Sequence, residues 1–93
     1  MTNKMHAGRT AFVSGSGKNI GRSIAVRLAA AGSNVIINGS SDEAACEETA
    51  DMVRQAGPDA LVAMGDMSSK EYVKRITDAA LARFGRADIL VNN

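Results

Sequence analysis

The stretch FVSGSGKNIGRSIA, residues 12–25, decides the fold. It runs from an apolar, strand-like segment through a turn of glycine, serine, lysine and asparagine into a segment with helical periodicity. Glycine in such a turn permits positive φ angles and lets a ligand approach the backbone closely. The helix that follows directs its unpaired N–H groups and the positive end of its dipole at the turn. The stretch therefore predicts a site for a phosphate-bearing ligand, with a ligand-free glycine turn as the alternative.

On either side of this turn, short apolar runs alternate with longer amphipathic segments. The runs predict four strands, at residues 10–14, 34–38, 60–64 and 88–92. The amphipathic segments predict three helices, at residues 20–31, 41–56 and 69–84. Strands that alternate with helices imply parallel pairing through right-handed crossovers. The predicted fold class is α/β, a doubly wound parallel sheet of the Rossmann type, with four strands and three helices present as part of a domain.

Apolar spacing and capping patterns specify the helices further. The residues predicted to face the core are Ile20, Ile24 and Leu28 on the first helix, and Val73, Ile76, Ala80 and Phe84 on the third. Two pairs have the spacing of a capping box, Ser40 with Glu43 and Ser68 with Glu71. A glycine follows each helix, at Gly32, Gly57 and Gly85, and predicts where it ends.

Composition and charge argue against several kinds of function. The 93 residues carry a net charge of +1 without a dense Lys/Arg cluster, and only 3% are aromatic, which argues against nucleic-acid binding. No run approaches the length of a transmembrane helix, and residues 1–9 do not resemble a signal peptide. Cys46 is the only cysteine and so cannot form an internal disulfide. We predict a soluble cytoplasmic protein with no membrane partner and, since His6 lacks a cluster of ligands, no metal site.

The spacing of the turn glycines, Gly15, Gly17 and Gly21, differs from two common phosphate-binding patterns. It is not G-x-G-x-x-G, because the third glycine comes too late. It is not the Walker pattern either, because Asn19 follows Lys18 where that pattern has Ser or Thr. A phosphotransferase is therefore disfavoured.

The stretch Ser14-Gly15-Ser16-Gly17-Lys18-Asn19-Ile20-Gly21 resembles the T-G-x-x-x-G-x-G motif of the short-chain dehydrogenase/reductase family. Ser14 stands for the threonine and keeps a hydroxyl, while Asn19 stands for the middle glycine and tolerates left-handed backbone better than most residues. Two later stretches add to the resemblance. Asp66-Met67 is similar to the family's acidic-apolar pair beside the adenine ring, and residues 88–93 are similar to the strand that leads into its N-N-A-G motif.

The resemblance implies an oxidoreductase that moves a hydride between nicotinamide and a carbonyl or alcohol carbon of a small molecule. The residues that it implies at the cofactor are Ser14, Gly15, Gly17, Lys18, Asn19, Ile20, Gly21, Ser40, Asp66, Met67 and Asn93. It also implies a homotetramer, and 3-oxoacyl-carrier-protein reductases are among the family members that the sequence resembles.

The preferred cofactor depends on the residues near the ribose 2′ position. A carboxylate at the end of the second strand would accept from the 2′-hydroxyl of NAD and repel a 2′-phosphate. Residues 38–41 contain no acid. Lys18 lies where related NADP-dependent enzymes often carry a basic residue, and Ser40 and Ser41 offer hydroxyls to a phosphate. We predict NADP(H) over NAD(H) on charge complementarity; as alternatives, Lys18 is a solvated loop charge and Ser40 only a helix cap.

The catalytic residues of the family cannot be placed in this chain. The family's chemistry needs a tyrosine followed four residues later by a lysine, together with a serine and an additional asparagine. The only tyrosine is Tyr72, predicted to be a partly exposed helix residue far from the strand ends, and position 76 is isoleucine. We therefore predict a leader at residues 1–9 and, at residues 10–93, the N-terminal part of a dinucleotide-binding domain that is inactive alone. The alternatives are a non-catalytic dinucleotide-binding or sensor module and, for Asp66, only the start of a turn.

Overall fold

The computed structural model describes residues 7–91 as a layered α/β unit. The strands are β1 (Thr10–Val13), β2 (Asn34–Gly39), β3 (Ala60–Met64) and β4 (Ile89–Val91). The helices are α1 (Asn19–Ala30), α2 (Glu43–Gln55) and α3 (Lys70–Phe84). All three strand pairings are parallel, in the order β3-β2-β1-β4. The predicted fold class is confirmed, with element ends within two residues of those expected; Asn92, placed at the end of the fourth strand, lies outside the described residues.

The helices cover both faces of the sheet. This is seen at β2, where successive residues pack into two separate cores. Val35 and Ile37 belong to a cluster formed with α1 and α2. Ile36, between them, packs with Ala63 of β3 and Ala80 of α3. Side chains along a strand point alternately to opposite faces, so α1 and α2 lie on one face and α3 on the other. This arrangement is the doubly wound sheet that the apolar strand runs predict.

Two inward-facing residues were wrongly predicted. Ile20 is 68% exposed, and the row of α1 that is buried is Gly21, Ala25 and Ala29. Small side chains let a helix lie close to the sheet, so the row one position further along the chain is fully buried, while Ile24 and Leu28 pack against the same core as predicted. On α3 the preceding residue, Tyr72, is buried and Val73 is exposed, while Ile76, Ala80 and Phe84 pack against the core as predicted.

Both predicted capping boxes are displaced along the chain. Helix α2 begins after Asp42, not Ser40, and the Asp42 carboxylate accepts the Ala45 N–H at 3.0 Å. Helix α3 begins after Ser69, whose hydroxyl oxygen accepts the Tyr72 N–H at 3.2 Å. The stop signals are confirmed, since residues 32, 57 and 85 are glycines with positive φ at the helix ends.

A single carboxylate fixes the register of the edge strand β4. Asp88 accepts the Thr10 N–H at 3.0 Å through its side chain and donates its own N–H to the Thr10 carbonyl at 2.9 Å. Arg86 binds both oxygens of the same carboxylate, at 2.7 Å each for the closest contacts. Among the described strands, the one that follows is paired on one side only, with β1, and its Leu90 is 68% exposed.

Candidate functional site

The glycine turn between β1 and α1 has the backbone that its sequence predicts. Gly15 has φ of 60° and Asn19 has φ of 56°, and Asn19 is the only non-glycine residue in 7–91 with a positive value. This confirms that asparagine takes over the left-handed position of the middle glycine. A Cβ atom at Gly17 would lie 3.0 Å from the Cys46 sulfur and 3.4 Å from the Cys46 nitrogen, so α2 leaves room for bare backbone only.

The N-terminus of α1 is open, in contrast to the other two helices of the described chain. Its N-cap residue, Lys18, makes no side-chain hydrogen bond to the helix, and its first turn carries no acidic residue. Helices α2 and α3 each have a side-chain cap and a glutamate, Glu43 or Glu71, in the first turn. The first N–H groups of α1 therefore have neither an intrahelical acceptor nor a capping side chain. Their dipole is also unopposed, which favours an external anion.

Ser16 joins the turn to the end of β2. Its hydroxyl donates to the Val13 carbonyl at 2.7 Å and accepts the Asn38 N–H at 2.8 Å. Its own N–H donates to the Asn38 carbonyl at 2.8 Å. Because Ser16 is fully buried, these bonds replace water and hold the turn in one conformation.

The Asn38 side chain connects the turn to the other strand ends. Its Oδ1 accepts the Gly15 N–H at 3.2 Å, while its Nδ2 donates to the carbonyls of Ala63 at 3.2 Å and Gly65 at 3.3 Å. The same Nδ2 donates to the Tyr72 hydroxyl at 2.8 Å. A buried amide with every polar atom bonded in this way rigidifies its surroundings.

Tyr72 is neither exposed nor far from the strand ends, contrary to the sequence prediction. It is 4% exposed, its hydroxyl donates to the Ala63 carbonyl at 2.5 Å, and its ring fills the space where a Cβ atom of Gly65 would be. Burial raises the pKa of the phenol, against a smaller lowering by the bond from Asn38. The hydroxyl is thus committed to the framework of the fold.

The sequence contains partial signals for two residues of the site that it does not assign, Asn38 and Tyr72. Asn38 ends an otherwise apolar run, NVIIN, in which a buried amide needs partners. Tyr72 follows Ser69 by three residues and so lies in the first turn of α3. Nothing in the sequence indicates that they meet.

Lys18 lies at the mouth of the turn in an ion pair. Its ammonium is 2.9 Å from the Asp42 carboxylate, with the side chains 62% and 47% exposed. The hydrogen bond from Lys18, with a smaller contribution from the Ala45 N–H, lowers the pKa of Asp42. Behind this pair, Arg22 donates to the Thr49 hydroxyl at 2.9 Å, and Thr49 donates to the Gly17 carbonyl at 3.1 Å.

The remaining candidate residues are spread around the strand ends. Ser40 is exposed beyond β2 and does not cap α2. Asp66 is exposed and accepts both the N–H and the hydroxyl of Ser68 at 2.8 Å, bonds that lower the pKa of its carboxyl. Met67 lines an apolar groove of about 220 Å³ between α3 and β4, on the sheet face opposite α1. Asn93 lies outside the described residues.

Residues 7–91 contain neither a metal-binding cluster nor a membrane-spanning helix. No group of three or more His, Cys, Asp or Glu side chains is arranged to hold a metal ion. None of the helices has both the length and the apolarity needed to cross a membrane.

The geometry fits the diphosphate of a dinucleotide cofactor at the turn. The diphosphate bridge of such a cofactor is an anion that needs N–H donors and close backbone approach. Both are present where α1 is uncapped and where Gly17 has no space for a side chain beside α2. Ile20 adds an exposed apolar side chain on the same first turn.

Comparison with known proteins extends along the whole described fold. Residues 9–93 match the family model described as short chain dehydrogenase. Over 86 residues the chain is 40% identical to glucose 1-dehydrogenase 2 of Bacillus subtilis and 42% identical to 3beta-hydroxysteroid dehydrogenase 1 of Eggerthella lenta, covering 92% of this chain in each case. It covers 33% of each relative, so it spans about a third of their length.

A solved structure agrees in three dimensions. The hydroxysteroid dehydrogenase of Escherichia coli superposes with a TM-score of 0.87 at 32% identity, covering 99% of this chain and 39% of that one. The match takes in the glycine turn together with the sheet and the helices on both of its faces. The chain therefore belongs to the short-chain dehydrogenase family.

Proposed function

We propose that this chain is the cofactor-binding part of a longer oxidoreductase that prefers NADP(H) and transfers a hydride to or from a carbonyl or alcohol carbon. Family membership implies a nicotinamide dinucleotide, NAD or NADP. The observation that carries the proposal is the open N-terminus of α1, over a glycine turn whose backbone is fixed by Ser16 and Asn38. The cofactor, when bound, supplies or accepts the hydride.

The residues of the turn are assigned to the diphosphate. The first N–H groups of α1, at Asn19, Ile20 and Gly21, donate to it, and Ile20 covers it with an apolar side chain. Gly15 and Gly17 keep side chains out of its way, and Ser14 closes the turn at the end of β1. The N–H of Gly15 is committed to Asn38, so Gly15 acts through its backbone conformation.

The far end of the cofactor is assigned to the ends of β2 and β3. Ser40 and Lys18 face the ribose 2′ position, while Asp66 and Met67 lie beside the adenine. A carboxylate at position 39 would select against a 2′-phosphate, but a Cβ there would lie 2.5 Å from the Cys46 sulfur. Cys46 thus supports the preference for NADP(H) by keeping position 39 a glycine.

The proton-transfer groups are assigned to polypeptide outside these residues. Tyr72 is buried and hydrogen-bonded to Asn38 and Ala63, so it is not a proton donor for substrate. A catalytic tyrosine, lysine and serine would follow in the longer protein, with Asn93 near the cofactor ribose. Residues 1–9 are then a leader, and we expect a cytoplasmic homo-oligomer in which the buried thiol of Cys46 stays reduced.

The test is calorimetric titration of the complete polypeptide with NADPH and NADH. Ile20→Glu places an acid on the open turn at a 68% exposed position, and we expect binding of both coenzymes to weaken by at least about tenfold, because juxtaposed like charges cost several kcal/mol. The same acid raises the free energy of unfolding by about 0.3–1 kcal/mol, because it opposes the helix dipole. Weaker binding with higher stability cannot come from misfolding.

Ser23→Glu is the matched control, since it adds the same charge to an exposed position later in α1. It should change the affinity for either coenzyme by less than about threefold, because the dipole effect is confined to the first turn. Wild-type protein that gives no heat with either coenzyme contradicts the proposal. Binding without reduction of any carbonyl compound favours the sensor module instead.

A further inference from the structure

Asp42 is the charged group nearest to the lysine that the proposed function assigns to the 2′-phosphate. Its Oδ2 lies 2.9 Å from the Lys18 Nζ. Its Oδ1 accepts the Ala45 N–H at 3.0 Å, so the carboxylate is anchored as the cap of α2. One residue thus ties the glycine turn to the start of α2 across the mouth of the site.

The anchoring decides how the pair responds to an incoming phosphate. Lys18 is a flexible side chain, 62% exposed, and can turn toward a ligand. Asp42 cannot retreat without uncapping α2. A 2′-phosphate that binds the ammonium therefore comes within a few ångströms of a fixed carboxylate. The ribose 2′-hydroxyl of NADH carries no charge and meets no such repulsion.

We propose that Asp42 is a specificity-determining residue that lowers the affinity for NADPH and leaves that for NADH unchanged. This inference rests on the proposed function. Lys18 favours the phosphorylated coenzyme, and Asp42 offsets part of that preference by occupying the lysine and repelling the phosphate. The wild-type preference for NADP(H) is therefore smaller than Lys18 alone would set.

The decisive variant is Asp42→Asn in the complete polypeptide. Asparagine caps helices about as well as aspartate, so α2 keeps its N-terminus while Lys18 loses its charged partner. We expect the dissociation constant for NADPH to fall by about fivefold, the size of an exposed charge interaction, and that for NADH to stay within about twofold. The gain for NADPH should shrink as salt is raised, because the charges are exposed.

Two further variants make the test specific. Glu43→Gln removes one negative charge from the adjacent residue, which belongs to the first turn of the same helix, and should leave the ratio of the two constants unchanged. In a Lys18→Ala background, Asp42→Asn should have a smaller effect on NADPH, because the competition for the lysine is gone and only the repulsion of the phosphate remains. Asp42→Ser, which also caps, reproduces the result should the asparagine variant fail to fold.

The outcomes separate the two proposals. Wild-type protein that binds neither coenzyme overturns the proposed function, and with it this one. Wild-type protein that binds, combined with an Asp42→Asn variant whose NADPH to NADH ratio is unchanged or moves as in Glu43→Gln, overturns the role of Asp42 alone.

Discussion

The Asn38 side-chain amide donates to the Tyr72 hydroxyl at 2.8 Å, although 34 residues separate the two. Tyr72 belongs to α3, on one face of the sheet, and Asn38 holds the Gly15 N–H of the turn that leads into α1, on the other face. The helix on one side thereby supports the turn on the other.

Deleting the Tyr72 hydroxyl tests the link directly. In Tyr72→Phe the Asn38 amide keeps the carbonyls of Ala63 and Gly65 as acceptors, so the turn should stay in place. We expect the free energy of unfolding to fall by about 1–2 kcal/mol, because the two buried hydrogen bonds of the hydroxyl, to Asn38 and Ala63, are lost. Urea denaturation provides the measurement.

The control for that loss is Thr77→Ala on the exposed surface of α3. Its hydroxyl donates to the Val73 carbonyl at 2.8 Å, but in contact with solvent. The change should be within about 0.5 kcal/mol, as for most surface substitutions. Equal losses in the two variants would contradict a special role for the buried hydroxyl.

Replacing Asn38 should lower the free energy of unfolding by more than Tyr72→Phe does. Asn38→Leu keeps the branched shape and the number of side-chain heavy atoms but removes the amide that bonds the Gly15 N–H and the carbonyls of Ala63 and Gly65. We expect a loss of about 3 kcal/mol in stability, since several hydrogen bonds of a buried amide are removed and each contributes about 0.5–1.5 kcal/mol. Faster hydrogen exchange at the Gly15 amide would locate the damage, and an unchanged rate there would show that the turn does not depend on Asn38.

The close packing of Cys46 against Gly39 predicts that removing the Cys46 sulfur will reduce the effect of a side chain at position 39. Gly39→Ala puts a methyl group 2.5 Å from the Cys46 sulfur and should destabilise the protein by about 1–3 kcal/mol through overpacking. Cys46→Ala removes the obstructing atom. The double variant should lose less stability than the sum of the two single losses. Thermal unfolding of the three variants measures this coupling. Strict additivity would mean that the sulfur does not restrict position 39.

The stability of the fold should depend on acid pH. Hydrogen bonds from Lys18, Arg83 and Arg86 lower the pKa values of Asp42, Asp59 and Asp88, respectively, as the largest cause in each case. A carboxyl whose folded-state pKa lies below its unfolded value contributes stability above the unfolded value, and this is lost as pH falls through the folded one.

We therefore expect the free energy of unfolding to be steady near neutral pH and to decline below about pH 4, where the unfolded carboxyls begin to bind protons. Asp88→Asn should flatten that decline. Asp78→Asn, at an exposed position of α3, should leave the curve unchanged. A profile that is flat from neutral pH to pH 2 would contradict the assignment of these ion pairs.

The sequence predicted the strands and the glycine turn well, because both depend on local signals. Four short apolar runs predict the strands of a buried sheet. Asparagine is one of the few residue types that tolerate a positive φ, which is 56° at Asn19. The buried row of α1 was less predictable. Rows 20/24/28 and 21/25/29 both have helical spacing, and only the close approach to the sheet places the row of glycine and alanine deepest and leaves Ile20 exposed.

The capping residue of α2 and the long-range polar contacts could not be predicted from the sequence, because neither depends on a local pattern alone. Ser40, Ser41 and Asp42 are all good capping residues, and no local pattern indicates which of them takes the role. The Lys18 to Asp42 pair joins two loops, and the Asn38 to Tyr72 bond joins a strand to a helix on the far side of the sheet. Such pairs follow from topology, which no local pattern encodes.

The position of Tyr72 also provides an intrinsic spectroscopic probe of this part of the protein. These 93 residues contain one tyrosine and no tryptophan, so a single ring accounts for nearly all of their absorbance and emission in the near ultraviolet. That ring contacts the strand ends directly through Asn38 and Ala63. Its optical signal therefore reports on the framework beneath the glycine turn without any attached dye.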